Sequence, residues 1–405
     1  MTAHPSALPT FGDRIRSQTL RVPALWAGAL CLAGVAVAVA ATRAAGYAAA
    51  SPIYPPGDWR AAFVAALVVA FAGYAVGLLL LARRRAPAAG VLALVGAIQL
   101  VPLLSPLLLS RDPLVYNAWG TMSHPYDPPG AWPPVETYGP LWQIVSIPLA
   151  HLDGGLRDTG AYAFRVLAAV CVLAIVALVW RLAARKALAA AIVGWNPFVG
   201  LHYAGGGHND ALMMVLVLGA LLAFASDAAQ LGGAGWATAV ALKWSAGWFL
   251  VLWAIERVRR RKALGLAGLV VCGAVLLAVA FVLYGATWLQ AFHSLSEQER
   301  VDHPSLGLLG WFEDAGLSRR PALVLIALLQ VGALAVFAWA AWRRRLRLGL
   351  AGVFLVALAP RLDPWYALWP LALAAADDED RLGRTAAVAL TGFLLVDAFS
   401  HLVEA

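Results

Sequence analysis

The chain alternates long apolar runs with short polar breaks, and the runs are far too long for strands. Uninterrupted stretches lie near Ala24–Ala41, Ala61–Ala82, Ala88–Leu109, Tyr162–Leu182, Leu188–Leu201 and Ala211–Ala225. Others follow at Leu264–Tyr284, Ala322–Trp342, Leu348–Ala359, Trp365–Ala376 and Thr385–Leu402. A helix needs about 20 apolar residues to cross a bilayer. The pattern therefore predicts an all-α polytopic membrane protein, a bundle of about 11–13 transmembrane helices in one domain over residues 1–405. Between Gly232 and Ile255 the pattern is broken by Lys243. Two half-crossings fit better there than one tilted helix, because the pair keeps the flanking basic clusters on one side.

Composition agrees. Hydrophobic residues make up 62% of the 405 and charged residues only 13%, about half the share of a soluble domain. The net charge of +8 is not a nucleic-acid signal, since the basic residues sit in short clusters between spans. Basic loops mark the cytoplasmic side. With the tail 1–22 (Arg14, Arg16, Arg21) inside, the clusters at Arg83–Arg85, Arg181 with Arg185–Lys186, Arg257–Lys262, Arg343–Arg347 and Arg381–Arg384 all fall inside too. The first span has two readings, a signal peptide cleaved near Ala38-Val39-Ala40 or, favoured by the many spans that follow, an uncleaved anchor. Cys31, Cys171 and Cys272 lie in apolar runs and read as core hydrophobes, with no disulfide or metal spacing.

The same count puts Ser110–Leu141, Tyr203–Asp210, Gly285–Arg320 and Pro360–Tyr366 on the opposite face, and these segments hold the varied chemistry. Asp112, where a span leaves the membrane, has two compatible readings. It is a general base, its pKa raised by partial desolvation, or the N-cap of a short helix with Pro113 at its first position. In Gly205-Gly206-Gly207-His208-Asn209-Asp210, glycines permit close backbone approach. Asn209 or Asp210 would cap the next span, whose N-terminus favours an anion. His293, Glu297 and Arg300 share one face at helical spacing. With His303 they could hold a phosphate, or form a solvated interfacial helix. Arg361 and Asp363 sit among interfacial aromatics, paired or functional. Lys243 either snorkels to an interface or meets a lipid phosphate. No metal motif, phosphate loop, dinucleotide fingerprint or nucleophile elbow is present.

In this order the segments resemble the GT-C class of polytopic glycosyltransferases. They are most similar to the actinobacterial polyprenol-phosphate-mannose-dependent α-1,6-mannosyltransferases of lipomannan synthesis. The likeness rests on Asp112, Tyr116 and Gly120, on His124-Pro125-Tyr126 where that family has Asn or Asp before Pro-Tyr, and on Tyr138-Gly139-Pro140-Leu141. It continues through Asn196-Pro197, Gly206 to Met213, and Pro364 to Trp369.

The resemblance implies an inverting transfer of a sugar, foremost mannose, from a polyprenyl-phosphate carrier to a cell-envelope glycan or glycolipid. The site would face outward from a bacterial plasma membrane, with no metal or further cofactor. Asp112 would be the base. Tyr116, Tyr138, Trp142, Trp365 and Tyr366 would wall the sugar site, joined by Tyr126 and Glu136. His208, Asn209 and Asp210 would orient hydroxyls. Lys243, His293, Arg300, His303 and Arg361 would hold the lipid phosphate.

Two rivals remain open on the residues alone. A transporter or flippase of a lipid-linked sugar predicts mid-membrane charges, repeated halves and discontinuous helices. A scaffold subunit predicts no lone carboxylate among aromatics at a span exit.

Overall fold

The apolar runs are helices in the computed structural model of the chain, which describes residues 22–45, 58–128, 135–153, 161–293, 307–343, 345–360 and 362–403. The helices are α1 (Val22–Ala44), α2 (Asp58–Arg83), α3 (Ala88–Leu100), α4 (Asp112–Gly120), α5 (Pro140–Leu152) and α6 (Tyr162–Leu182). Next come α7 (Lys186–Gly194), α8 (Pro197–Gly200), α9 (Asp210–Ala225), α10 (Ala229–Leu242), α11 (Ala246–Arg259) and α12 (Leu266–Tyr284). The chain continues with α13 (Leu308–Asp314), α14 (Arg319–Arg343), α15 (Leu348–Ala357), α16 (Leu368–Ala375) and α17 (Arg381–Val403). No strand occurs among the described residues. Without water in the hydrocarbon, only a helix satisfies its own backbone.

Five helices are long and apolar enough to cross a membrane alone: Pro23–Ala44, Trp59–Arg83, Tyr162–Leu182, Leu266–Tyr284 and Arg319–Arg343. A sixth candidate is broken, with Pro197–Gly205 and Asp210–Ala225 meeting at 116°. Of the other crossings expected from the sequence, Thr385–Leu402 falls on the 23-residue α17, and the rest fall on shorter helices. Two of these are cut short for a visible reason: Pro102 opens a 3-10 turn after α3, and Lys243 sits extended between α10 and α11. The stretch around Lys243 is thus two separate helices.

All five described basic clusters meet at one end of the bundle. Arg185 donates to the carbonyls of Leu81 and Ala82 at the end of α2. The amides of Ala184 and Arg185 donate to the Asp378 carboxylate. Arg345 pairs with Asp377 at 2.6 Å and with Glu379. Arg384 donates to the carbonyls of Asp377 and Asp378. Arg259 donates to Ala341 O at 3.0 Å, and Glu256 accepts from Arg260 and from the Leu346 amide. The acids 377–380 are therefore the mortar of this end.

From that end α11 runs back to Lys243, α16 to Trp365, and α6 to Tyr162. At about 1.5 Å per residue, the varied polar segments lie at the opposite end. The cysteines are unpaired, Cys31 and Cys171 buried and Cys272 half-buried.

Candidate active site

At the end away from the basic clusters, four loops close on one another. α4 starts where Pro113 fixes the first turn, a position that suits proline because its missing N–H is not needed there. Asp112 is the first residue of this helix and not its cap. Its amide donates to Ser110 Oγ at 3.0 Å, and its carboxylate turns inward. Oδ2 accepts from Tyr116 Oη at 3.3 Å, one turn along. The same oxygen lies 3.3 Å from His208 Nδ1. That contact is an ion-pair distance off the hydrogen-bonding direction, and neither ring nitrogen of His208 has an aligned partner.

His208 reaches Asp112 because the span before it breaks. Asn196 caps α8 by accepting from the amides of Phe198 and Val199. The helix then widens into a π-turn at Leu201–Gly205, a form common at functional sites. Gly207 has φ +68°, and a Cβ there would stand 2.7 Å from Pro113 Cγ. Only glycine permits this approach of the turn to α4. His208 then stacks on Trp365, with centroids 3.9 Å apart and planes at 15°. Trp365 is held in turn by Tyr203, whose hydroxyl donates to its carbonyl at 2.9 Å.

The expected capping of α9 is not what the next two residues do. Asn209 occupies the cap position without a capping bond. Its Oδ1 lies 3.5 Å from Lys243 Nζ. Asp210, fully buried, accepts at Oδ1 from Lys243 at 2.7 Å and from Trp369 Nε1 at 2.7 Å. Lys243, read from the sequence as snorkelling or phosphate-bound, is thus paired with an acid. The rings of Tyr138, Tyr366 and Trp369 surround its ammonium at 5.2, 5.3 and 5.6 Å, within cation–π range.

Tyr138 closes the circuit. Its hydroxyl lies 3.2 Å from that of Tyr116. Burial first, and then the Asp112 charge, pushes both phenols well above their ordinary value, so both stay protonated. Gly139 makes this possible, since any Cβ there would run into the Ala241 carbonyl of α10. An unbroken path of contacts therefore joins His208, Asp112, Tyr116, Tyr138, Lys243 and Asp210. Of these, Asp112, Tyr138 and Lys243 are part exposed, as is Tyr366.

Other expected site residues fall elsewhere. Trp142 does not wall the site: it is 1% exposed and packs edge-on behind Tyr116 at 5.0 Å. Tyr126 is also buried, donating to Tyr138 O at 3.3 Å. Glu136 is fully buried with both oxygens lacking a hydrogen-bond partner, and burial pushes its carboxyl well above the usual range. His293 is exposed at the same end. Arg300, His303 and Arg361, with Glu297, lie outside the described residues. Among the described residues no three His, Cys, Asp or Glu side chains group closely enough to hold a metal ion.

Sequence reasoning missed three residues. Arg165, in α6 and 2% exposed, donates to Ala204 O at 2.9 Å and Pro102 O at 2.8 Å, fastening the π-turn. Its signal was a lone arginine inside an apolar span. His202 packs against Trp365 and His208 at 5.7 and 6.0 Å. Trp369, the Asp210 donor, stood in view at the end of the Pro-Trp-Tyr-x-Leu-Trp run.

Comparison with known proteins bears on this architecture at two places. Residues 126–259 match the family model described as Alpha-(1->6)-mannopyranosyltransferase, N-terminal domain. Residues 303–399 match the MptB C-terminal domain. Alpha-(1->6)-mannopyranosyltransferase A of Mycobacterium tuberculosis (strain ATCC 25618 / H37Rv) is 27% identical over 358 residues, spanning 72% of this chain and 67% of that protein. Asp112 precedes the first matched segment, while the His208–Asp210 run, Lys243 and Trp369 fall within matched segments. With both segments matched in chain order on a helical membrane bundle, the chain belongs to the alpha-(1->6)-mannopyranosyltransferase family and is a hexosyltransferase.

Proposed function

We propose that the protein transfers mannose, with inversion, from polyprenyl-phosphate mannose to a glycan or glycolipid acceptor on the non-cytoplasmic side of a bacterial plasma membrane. The single observation that carries this reading is the convergence of Asp112, His208, Tyr138 and Lys243 at the end of the bundle away from the basic clusters. The positive-inside rule makes that end the outer one. No nucleotide site accompanies it in the sequence, so the sugar would arrive already activated on lipid.

In this mechanism Asp112 takes the proton of the acceptor hydroxyl. The oxygen attacks the mannose C1 from the face opposite the phosphate, the C1–O bond to phosphate breaks, and a β-linked donor yields an α-mannoside. The polyprenyl phosphate leaves with its charge increased. Lys243 and the neutral phenol of Tyr138 are fixed donors near that charge, and donors set in place before reaction lower the barrier. The part-exposed rings of Tyr138 and Tyr366 offer apolar faces for the sugar. His208, clamped on Trp365, orients a hydroxyl beside Asp112. Arg300, His303 and Arg361 remain candidates for the phosphate.

One observation favours a transporter: the span broken at 116° is of the discontinuous kind that transporters use. Its break opens beside Asp112, however, which suits a one-sided reaction chamber. The test uses purified chain in proteoliposomes with labelled polyprenyl-phosphate mannose and an α-mannoside acceptor. Label should appear in an α-linked product. Movement of intact donor across the bilayer without transfer would favour the transporter.

A further inference from the structure

We infer that the apolar groove between α5, α10 and α12 seats the isoprenoid chain of the carrier, and that Trp244 and Trp288 present indole N–H groups to its phosphate-bearing end. This inference rests on the proposed lipid-linked donor. The groove has a cavity volume of about 290 Å³, with Pro140, Val240, Gly273 and Leu277 among its walls. Its lining reaches from Leu269 to Ala280 along α12, about 16 Å of helix. α12 is one of the most apolar helices and buries very little of itself against the bundle. The groove is therefore walled on one side by a lipid-facing helix, so a chain can enter it sideways from the bilayer.

Two features tie the groove to the site. Pro140 follows Tyr138-Gly139 directly, and Trp244 follows Lys243 directly. The end of the groove is thus built by residues that neighbour, along the chain, the Lys243 ammonium and the Tyr138 ring beside it. There Trp244 and Trp288 lie stacked, 6.2 Å between centroids and 23° between planes. Trp288 is only 6% exposed, and both indole nitrogens lack a hydrogen-bond partner.

Indole nitrogen can only donate, and a buried donor without an acceptor is costly. Two of them side by side, at the polar end of an oily slot and next to a lysine, fit an anion carried on an apolar chain. The donor is the substrate that brings both. A bilayer phospholipid lacks the reason to stop at Lys243, and an acceptor sugar lacks the chain.

Gly273 makes the test clean. A Cβ placed there would meet nothing nearer than Ala237 Cβ at 4.0 Å, so a side chain can start from this groove-lining position without a clash at its Cβ. Gly273→Ala and Gly273→Leu should be assayed with a long-chain polyprenyl-phosphate mannose and a short-chain, water-soluble analogue. The expected result is a graded rise in KM for the long-chain donor. Its kcat/KM relative to the short-chain donor should fall about tenfold in Gly273→Leu, the discrimination that a methylene or two provides in an apolar pocket. Trp288→Phe, which keeps the ring and removes the N–H, should weaken inhibition by a phosphorylated long-chain alcohol more than by the unphosphorylated alcohol.

A ratio unmoved in the glycine series overturns the inference, as does equal loss with both donors or a change in acceptor KM alone. Phospholipid retained in the groove in native mass spectra, and not displaced by donor, overturns it too. A wild-type chain that uses neither donor overturns the proposed function, and the inference with it.

Discussion

Asp210 and Lys243 form a 2.7 Å ion pair between the two broken regions of the bundle, the α8–α9 bend and the α10–α11 break. Their side chains are 1% and 11% exposed, so water compensates little of either charge. Removing one partner of such a pair costs about 3–5 kcal/mol, because the other is left charged and buried. Lys243→Met and Asp210→Asn should each lower the melting temperature in detergent markedly. The double variant should recover part of the loss, since the two sites share one interaction. Strictly additive losses would show that the pair contributes nothing as a pair.

Asp112 is the part-exposed carboxylate of the cluster, 33% exposed at its side chain, and no helix cap depends on it. Asp112→Asn should therefore leave the melting temperature nearly unchanged. Turnover should fall by about 10²–10⁴, the usual worth of a positioned general base. Mannosyl transfer in membranes carrying the variant is the measurement. Transfer near the wild-type rate would remove Asp112 from the chemistry and leave His208 as the remaining candidate base in the cluster.

Much of this arrangement was legible in the sequence, for reasons that can be stated. The His-Asn-Asp run stood out because a cap needs one such residue and not three. The structure spends all three differently, on Asp112, on Lys243 and on the Lys243–Trp369 pair. The basic clusters were legible because charge in loops obeys a rule. The depth of each ring was not legible, because an aromatic at an interface reads alike whether it faces solvent, as Tyr366 partly does, or packs behind another ring, as Trp142 does. Nor was the partner of Lys243: period and spacing say nothing about which of several distant segments a break will meet. The acids 377–380 drew no notice, although they bind three basic loops together.

Arg165 is the residue on which the bend of the π-turn depends. Its guanidinium serves Ala204 O, Pro102 O and, at 3.4 Å, Ser105 Oγ. Hydrogen bonds from a charged group contribute about 1.5–3 kcal/mol each. Arg165→Leu should lower stability by about 3 kcal/mol or more and weaken transfer, even though Arg165 does not reach Asp112. Arg165→Lys should rescue only in part, because a single ammonium cannot reproduce the fork of donors. Full rescue by lysine, read from the melting temperature together with kcat, would mean that charge alone matters there.

Glu136 gives a prediction in pH. Burial holds its carboxyl protonated well above the ordinary value of 4.5, and neither oxygen has a hydrogen-bond partner to stabilise the charged form. The folded chain keeps a proton that the unfolded chain releases. The unfolded state therefore binds fewer protons, and stability falls as pH rises above about 4.5, by at most about 1.4 kcal/mol per unit until the raised native value is reached. Glu136→Gln cannot titrate and escapes this loss. Melting temperatures of wild type and variant should lie close together near pH 5 and separate towards pH 8, with Glu136→Gln the higher. The Tyr126 phenol, which burial first and then the Glu136 charge raise above its ordinary value, stays neutral throughout that range. A gap that stays constant with pH, or one that favours wild type at pH 8, would show that Glu136 is ionised in the folded chain.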